Sequence, residues 1–467
     1  MILEQFYLGC LAHASYIVID ERSKTAAVID PQRDIEQYVT KADQHGAKIK
    51  YVLLTHFHAD FIAGHLELRN RLGARIYLGA KAEPEYDFTA LADGDVLEFG
   101  DVRLQALETP GHTPEGISIL VFDTAKDVRH PAAVFIGDTL FVGDVGRPDL
   151  LASIGYTAEE LGAMLYDSLH DKLLPLPDDT IVYPAHGAGS MCGKNLGKET
   201  HSTIGEQRRF NYALQPMSKE DFIRIVTAEQ PEAPSYFVFD AILNRQERPT
   251  LDESLEKALQ PLTAEAVTRL QNQGAQIVDV RNAADFAGAH YRGSWNIGLD
   301  GKFATWAGTL LDREKPIVLI ADPGSEAEAA MRLGRIGLDR VAGYLDGGLT
   351  ALEAHPELLS KTERITVAAL ADRLQGSDAP IVIDIRGEKE WGEAHIEGSR
   401  NIPLPHLAER SHEIPKDHPF VVICRSGYRS SLAASVLESL GFENLRDTVG
   451  GMEAWKASHL PVASPVA

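Results

Sequence analysis

Histidine and aspartate recur at four places in the first two hundred residues. The stretch T-H-F-H-A-D-F occupies 55–61, and shorter motifs follow around His112, Asp138 and His186. Imidazole and carboxylate groups together are ligands for transition metals. Each motif follows a short apolar run, and loops at strand ends can present side chains to a common point. The sequence therefore predicts a metal site in this region.

Phe61 stands directly after Asp60, where a further ligand would extend the first motif. Phenylalanine has no lone pair to offer a cation. This position therefore supplies no metal ligand.

A second reactive group is predicted in the loop C-R-S-G-Y-R at 424–429. Cys424 lies between a predicted buried strand and a predicted helix, where the helix dipole and backbone N–H groups favour the thiolate. Arg425 and Arg429 add positive charge for an anionic sulfur donor, and Gly427 allows a tight curl. A structural cysteine is the plainer alternative.

Period-two and helical patterns indicate the elements that position the first set of motifs. Strands are predicted at Ser15–Ile19, Thr25–Ile29 and Lys50–Leu54, helices at Ile35–His45 and Phe61–Leu72, and a mainly helical connector over 214–260.

The remainder of the chain contains an internal repeat. The same residue types recur 105 residues apart: Asp279 and Asp384, His290 and His395, and Asn296 and Asn401. Each copy reads as strand, helix, second strand, loop and helix, which predicts two tandem α/β units with parallel sheets.

Composition restricts the partners and the compartment. The 467 residues carry a net charge of −23, which argues against nucleic acid and anionic membrane as partners. Three cysteines do not make a disulfide framework and indicate a reducing compartment. We expect no signal peptide and no membrane span, and a cytoplasmic protein.

The four histidine and aspartate motifs, in this order, resemble the metallo-β-lactamase superfamily, with its αββα sandwich over 1–250. The persulfide dioxygenase branch is the most similar, followed by glyoxalase II-like thiolester hydrolases. The resemblance implies one mononuclear non-haem Fe(II) held by His56, His112 and Asp138. Two imidazoles and one carboxylate leave positions open for O₂ and substrate.

His58, Asp60 and His186 match positions that serve the second metal in dinuclear relatives, and here they are expected to support the ligands or the substrate. Phe61 departs from the hydrolases, and many dioxygenases of this type also retain histidine there. The departure weakens the hydrolase reading. His65 is expected to be structural.

Several further residues have an open role. Cys192 either meets the substrate sulfur or is incidental, and Cys10 is expected in the core. Arg147 and the pair Arg208-Arg209 either bind carboxylates of a thiol carrier or serve as surface charges.

The cysteine loop and its flanking motifs resemble an active rhodanese domain over 362–460. In the earlier copy, 260–357, Ala321 stands where Cys424 stands and Asp322 replaces Arg425. Alanine cannot carry a persulfide, so this copy resembles an inactive rhodanese domain.

Both resemblances concern sulfane sulfur. They imply oxidation of a small glutathione-type persulfide with O₂ to sulfite and thiol, coupled to sulfur transfer through Cys424, with thiosulfate as a product if sulfite is the acceptor. The resemblance also implies self-association. The alternatives are a thiolester hydrolase joined to a sulfurtransferase, and a non-enzymatic sulfur carrier with a structural metal.

Overall fold

The computed structural model describes residues 1–150, 155–228, 230 and 232–463. The chain divides into two compact units, 1–253 with 334–337, and 254–333 with 338–467. Within the described residues, no helix has both the length and the apolar character needed to span a bilayer.

Two six-stranded sheets form the first unit. The first sheet runs in chain order: β1 (Ile2–Leu8), β2 (His13–Asp20), β3 (Thr25–Ile29), β4 (Lys48–Leu53), β5 (Arg75–Gly79), β6 (Thr89–Leu91). The second sheet has the order β14 (Ser202–Thr203), β13 (Ile181–Pro184), β10 (Ala133–Gly137), β9 (Ile117–Asp123), β8 (Val102–Glu108), β7 (Val96–Phe99). A short antiparallel ribbon joins β11 (Leu140–Phe141) to β12 (Asp144–Val145).

Alternating side chains explain why the two sheets stack. In β8 the apolar residues Val102, Leu104 and Ala106 are buried and the intervening ones are only partly covered. This is the period of a strand with one face in the core. The three residues share one hydrophobic cluster with Tyr16 and Ile29 of the first sheet.

Helices cover the outer faces. In the first part of the chain they are α1 (Glu36–Gln44), α2 (His65–Leu72), α3 (Ala158–Asp167), α4 (Ile204–Phe210), α5 (Lys219–Thr227), α6 (Phe237–Leu243) and α7 (Leu251–Ala258). Helices α1 and α2 pack on β4, while α3 and α5 pack on the second sheet through Leu165 and Phe222. The predicted αββα sandwich is confirmed.

One predicted helix differs from the structure at its start, and one predicted strand agrees with it at both ends. The helix predicted from Phe61 begins at His65, because Gly64 caps it and the preceding residues form the loop that carries the metal motif. The strand predicted at Thr25–Ile29 has the predicted bounds.

The second unit contains two parallel five-stranded sheets of the same order. The earlier copy has β15 (Pro261–Leu262), β20 (Val341–Leu345), β19 (Ile317–Ile320), β16 (Gln276–Asp279), β18 (Trp295–Asn296). The later copy has β22 (Arg364–Thr366), β26 (Leu445–Val449), β25 (Phe420–Ile423), β23 (Ile381–Asp384), β24 (Arg400–Asn401). A separate antiparallel pair is β17 (His290–Tyr291) with β21 (Leu359–Ser360).

Helices flank both sheets. They are α8 (Ala264–Asn272), α9 (Ala283–Gly288), α10 (Phe303–Leu310), α11 (Glu326–Gly334), α12 (Val367–Leu374), α13 (Glu388–Glu393), α14 (Leu407–Arg410), α15 (Tyr428–Ser439) and α16 (Gly451–Ala457). The tandem α/β prediction with parallel sheets is confirmed.

The repeated D-x-R motif has a structural role in both copies. In the later copy, Arg386 donates to Asp384 at 2.6 Å and to the carbonyl of Ala394 at 2.8 Å. Arg281 makes the same two bonds, to Asp279 and to the carbonyl of Ala289. A buried charge needs such a partner, so the motif fixes the end of one strand to the end of the next helix.

Candidate functional site

The predicted metal ligands come together from three loops of the first unit. The Nε2 atoms of His56 and His112 lie 3.8 and 3.5 Å from the same carboxylate oxygen, Oδ2 of Asp138. All three side chains are buried. His56 follows β4 by a short loop, and Asp138 follows β10 directly.

The Nδ1 atoms of His56 and His112 contact groups that are not part of the predicted ligand set. The Nδ1 atom of His56 lies 3.0 Å from Oγ1 of Thr55, whose hydroxyl donates to Asp30. The Nδ1 atom of His112 lies 2.9 Å from the backbone carbonyl of Arg147. These contacts leave both Nε2 atoms directed at Asp138, as the ligands of a metal require.

The donor set fits a single transition-metal ion. Ligand atoms about 2.1 Å from one ion stand roughly 3–3.5 Å apart, close to the separations seen here. Oδ2 of Asp138 is buried and has no hydrogen-bond partner among the described residues. Burial lowers the pKa of His56 well below its usual value, so its ring is neutral and offers a lone pair.

His186 supports the aspartate ligand. Its Nδ1 lies 2.7 Å from Oδ1 of Asp138, and its Nε2 lies 2.9 Å from Oδ2 of Asp60. Burial alone would lower the pKa of His186, but the carboxylates of Asp138 and Asp60 raise it well above its usual value. His58, Asp60 and His186 also present ligand atoms within 4.8 Å of one another. His58 in turn faces Asp30, with its Nε2 3.1 Å from Oδ1.

The rings of Phe61 and His13 pack beside His58. Phe61 is buried, and its ring centroid lies 4.4 Å from that of His58 and 3.9 Å from that of His13. Both nitrogens of His13 are buried and lack a hydrogen bond within the described part of the chain. Burial, followed by the charge of His186, lowers the pKa of His13 well below its usual value, so this ring is neutral.

Cys192 lies beside the predicted ligands. It is buried, and its Sγ lies within 4.8 Å of ligand atoms of Asp138 and His186. Burial, together with the charges of Asp60 and Asp138, raises the pKa of the Cys192 thiol well above its usual value. The side chain is therefore a neutral thiol.

Arg147 braces the loop that carries Cys192. Its guanidinium makes two bonds to Asp149, at 2.7 and 2.6 Å, and a third to the carbonyl of Met191. Its backbone N–H donates to the carbonyl of Cys192. The guanidinium is therefore already engaged by protein groups. In the other predicted pair, Arg208 donates to the carbonyl of Leu174.

Cys424 sits at the start of a tight loop in the second unit. Its side chain is buried, and its Sγ accepts the N–H of Gly427 at 3.1 Å. Gly427 has φ = 107°, a value that favours glycine. The backbone N–H groups of Met452 and Glu453, at the start of α16, donate to the carbonyls of Cys424 and Arg425. Backbone hydrogen bonds from α16 therefore hold the loop, and Gly427 connects it to α15.

The two predicted arginines have different surroundings. The side chain of Arg425 is 69% exposed and pairs with Glu453. Arg429 makes two bonds to Glu390, at 2.7 and 2.9 Å, and is largely covered. Arg425 is thus the more available of the two for a dissolved anion.

The equivalent loop of the earlier copy has no nucleophile. Ala321 is buried at the position of Cys424. A cavity of about 150 Å³ nearby is lined in part by Arg281, Asp300, Asp322 and Ser325. Two carboxylates at its wall disfavour an anionic sulfur donor.

Comparison with known proteins decides the family. The metallo-beta-lactamase superfamily model matches residues 8–186, and the rhodanese-like domain model matches 262–355 and 366–458. The human mitochondrial persulfide dioxygenase ETHE1 is 30% identical over 228 residues, which cover 48% of this chain and 80% of that protein.

This chain belongs to the metallo-β-lactamase superfamily. It combines the metallo-β-lactamase domain with two rhodanese-like domains.

Two further relatives extend the comparison. A cytoplasmic hydroxyacylglutathione hydrolase of Arabidopsis thaliana is 38% identical over 184 residues, covering 39% of this chain and 66% of that protein. A crystal structure of a metallo-beta-lactamase from Staphylococcus aureus superposes with a TM-score of 0.66 at 32% identity, covering 73% of this chain and 98% of that one.

One residue of the metallo-β-lactamase site was not anticipated from the sequence. His13 lies at the start of β2, far from the motifs, and reaches the site because it pairs with His186 as an isolated β-bridge. Only the pairing of distant strands reveals it, and no local pattern around residue 13 signals a ligand loop.

Proposed function

We propose that this chain is a mononuclear non-haem iron persulfide dioxygenase joined to a rhodanese-type sulfurtransferase. The observation that carries the proposal is the convergence of His56 and His112 on the unpartnered Oδ2 of Asp138, with the Phe61 ring against His58. The similarity to persulfide dioxygenase ETHE1 supports the choice of substrate.

Fe(II) held by His56, His112 and Asp138 would supply the redox chemistry that activates O₂, which Zn(II) cannot provide. The surrounding residues orient these ligands. Thr55 and the Arg147 carbonyl hold the two imidazoles, and His186 holds the carboxylate.

The proposed reaction is R–S–SH + O₂ + H₂O giving R–SH + SO₃²⁻ + 2H⁺, with a glutathione-type persulfide as R–S–SH. Phe61 makes one wall of the site apolar, which favours a sulfur substrate over bulk water. We propose that the neutral Cys192 thiol, which lies beside Asp138 and His186, contacts the substrate sulfur. We propose that Arg147 positions the Cys192 loop, since its guanidinium is bound to Asp149.

The rhodanese half would accept and return a sulfane sulfur at Cys424. The Cys424 thiolate attacks the outer sulfur of the donor, forms Cys–S–SH and releases the donor thiolate. Passing that sulfur to sulfite would give thiosulfate, and the reverse sequence would feed persulfide to the iron site. The Gly427 N–H stabilises the thiolate, and Arg425 attracts the anionic donor.

A thiolester hydrolase is the second candidate. His58, Asp60 and His186 form a second group of ligand atoms, and the hydroxyacylglutathione hydrolase of Arabidopsis thaliana is a relative. Phe61 opposes this function, because it places a ring without a lone pair beside that group.

The test is turnover of glutathione persulfide by the full-length protein in an oxygen electrode. The proposal requires equal amounts of O₂ consumed, sulfite released and glutathione released over many turnovers. Hydrolysis of S-lactoylglutathione without O₂ uptake would establish the hydrolase. Sulfur bound once per chain, with no turnover of either compound, would establish a carrier.

A further inference from the structure

A chain of three side chains leads from the Cys424 thiol to a buried carboxylate. The Sγ atom of Cys424 lies 3.5 Å from Oγ of Ser430, with geometry in which the thiol donates. The Ser430 hydroxyl donates to Oδ1 of Asp447 at 2.5 Å. Arg364 donates to the other oxygen of Asp447 at 2.9 Å.

The directions of these bonds are determined by what each group can donate. The Ser430 hydroxyl has one proton, and its two candidate acceptors are Asp447 at 2.5 Å and the Gly427 carbonyl at 3.2 Å. With that proton on Asp447, a lone pair of the serine oxygen remains for the thiol of Cys424. The Cys424 thiol can therefore donate to the Ser430 hydroxyl, which donates to the Asp447 carboxylate. This arrangement allows a proton to leave the sulfur.

The earlier rhodanese-like copy provides an internal comparison. Gly324 and Gly427 both have positive φ and lie 103 residues apart, so the two loops align without a gap. At the same offset Cys424 corresponds to Ala321, Ser430 to Ala327, Asp447 to Tyr344 and Arg364 to Pro261. Strand pairing supports this alignment, because Arg364 pairs with Asp447 as Pro261 pairs with Tyr344.

Cys424, Ser430 and Asp447, and Arg364 beside them, are thus all replaced in the copy without a nucleophile. The D-x-R pair is present in both copies. Both copies also use a threonine to cap the first helix, Thr263 for α8 and Thr366 for α12. The earlier copy thus retains these structural features but lacks the counterparts of Ser430 and Asp447. The fold therefore does not require the Ser430–Asp447 pair.

We infer that Ser430 and Asp447 are positioning residues of the sulfurtransferase site, which hold the proton that Cys424 releases when it takes up sulfur. This inference rests on the proposed sulfur transfer at Cys424. The Cys424 proton moves to Ser430 as the serine proton moves to Asp447. The thiolate attacks the outer sulfur of R–S–SH, the donor S–S bond breaks, and R–S⁻ leaves with the electron pair. The products are Cys424–S–SH, R–S⁻ and protonated Asp447, so atoms and charge balance.

The surroundings of Asp447 suit it to this task. Burial raises its pKa to about 6, although Ser430 and Arg364 act in the opposite direction, and the charge of Glu438 on α15 adds to the increase. The neighbouring strand β25 presents the apolar Val422 at the paired position. A carboxylate with this pKa is charged at neutral pH and accepts a proton more readily than an ordinary aspartate.

The experiment measures the rate at which Cys424 gains a sulfur from glutathione persulfide, by mass spectrometry of the Cys424 peptide, from about pH 5 to about pH 8. In the wild-type protein the rate should fall as pH drops through about 6, because Asp447 becomes protonated. Ser430→Ala and Asp447→Asn should be roughly 10- to 100-fold slower, and Asp447→Asn should lose the acidic limb.

Two further variants separate this role from a structural one. Ser430→Thr keeps the hydroxyl and should restore most of the rate. Ser435→Ala removes another fully buried hydroxyl from α15, one that bonds to the backbone of Leu432 and Asn296 and not to Cys424, and should match the wild-type rate. Unchanged rates and pH profiles in folded Ser430→Ala and Asp447→Asn would overturn this inference and leave the proposed sulfur transfer standing. Should a variant not fold, a wild-type rate without an acidic limb near pH 6 would overturn it. Absence of any sulfur on wild-type Cys424 would instead contradict the proposed sulfurtransferase.

Discussion

The ring of Phe61 contacts the rings of both His58 and His13, beside the carboxylate and imidazole groups that could otherwise hold a second ion. We propose that this side chain determines how many metal ions the site holds. A nitrogen donor at this position would join Asp60 and His186, whereas an apolar side chain leaves them bonded to each other.

Phe61→His is expected to raise the metal content from about one to about two ions per chain, since it adds an imidazole to an existing donor group. Elemental analysis of the purified variant measures this directly. Phe61→Leu is the matched control and should leave the content unchanged. A histidine variant that still binds a single ion would show that Phe61 does not determine the count.

The structure brings the three predicted residues together and adds one residue that the sequence did not indicate. The motif residues His56, His112 and Asp138 could be found because each lies at the end of a predicted strand. His13 could not, since it reaches the site through a β-bridge to a residue 173 positions away. The engagement of Arg147 by Asp149 was likewise invisible, because a sequence does not show which of several partners a guanidinium takes.

At the scale of elements, α2 carries a buried charge that secures it behind the metal loop. Glu67 of α2 faces the guanidinium groups of Arg33 and Arg248 at 3.0 and 2.7 Å. Burial alone would raise the pKa of Glu67, but the two arginines lower it to about 2. The sequence predicted the helix, but not this pairing across 181 residues to Arg248.

Glu67→Gln should destabilise the first unit by roughly 3–5 kcal/mol, because it removes the negative charge that two buried guanidinium groups face. Since the folded pKa of Glu67 is below its ordinary value of 4.5, its contribution is fully present above that pH and is lost as pH falls toward about 2. Urea unfolding at neutral and acidic pH measures both effects. Equal stability of variant and wild type at neutral pH would contradict this account.

A second element-scale contact links the two rhodanese-like copies. The hydroxyl of Tyr428, in the Cys424 loop, donates to the carbonyl of Gly298 at 2.8 Å. A side chain at Gly301 would meet the Tyr428 ring, since an added Cβ would lie 2.3 Å from it. The earlier copy therefore contacts the Cys424 loop of the later one.

Gly301→Ala should displace the Tyr428 ring and lower the rate of sulfur transfer to Cys424 by roughly 10-fold, as small misplacements at reacting groups do. O₂ uptake should be unaffected. Gly288→Ala is the matched control, because an added Cβ there meets nothing within 4 Å. Full sulfur transfer by folded Gly301→Ala would show that the contact does not position the loop.

At the scale of the whole molecule, the two candidate sites belong to two compact units. The metal ligands all belong to the first unit, and Cys424 belongs to the second. The fold of each unit followed from strand and helix patterns and from the 105-residue repeat. Sequence does not show whether sulfur passes between the centres, because no motif encodes that path.

Separate centres predict separable activities. Cys424→Ser should abolish sulfur transfer and leave O₂ uptake with glutathione persulfide close to the wild-type rate. His112→Ala should abolish O₂ uptake and leave sulfur transfer intact, because it removes a nitrogen from the metal site only. Oxygen-electrode and thiosulfate assays on both variants measure this. Loss of both activities in either variant would contradict the proposed division.

The most direct measurement is the metal content of anaerobically purified protein, together with O₂ consumption on addition of glutathione persulfide. The account predicts about one iron per chain, with O₂ uptake and release of sulfite. Two zinc ions per chain without O₂ uptake would contradict it and indicate a thiolester hydrolase.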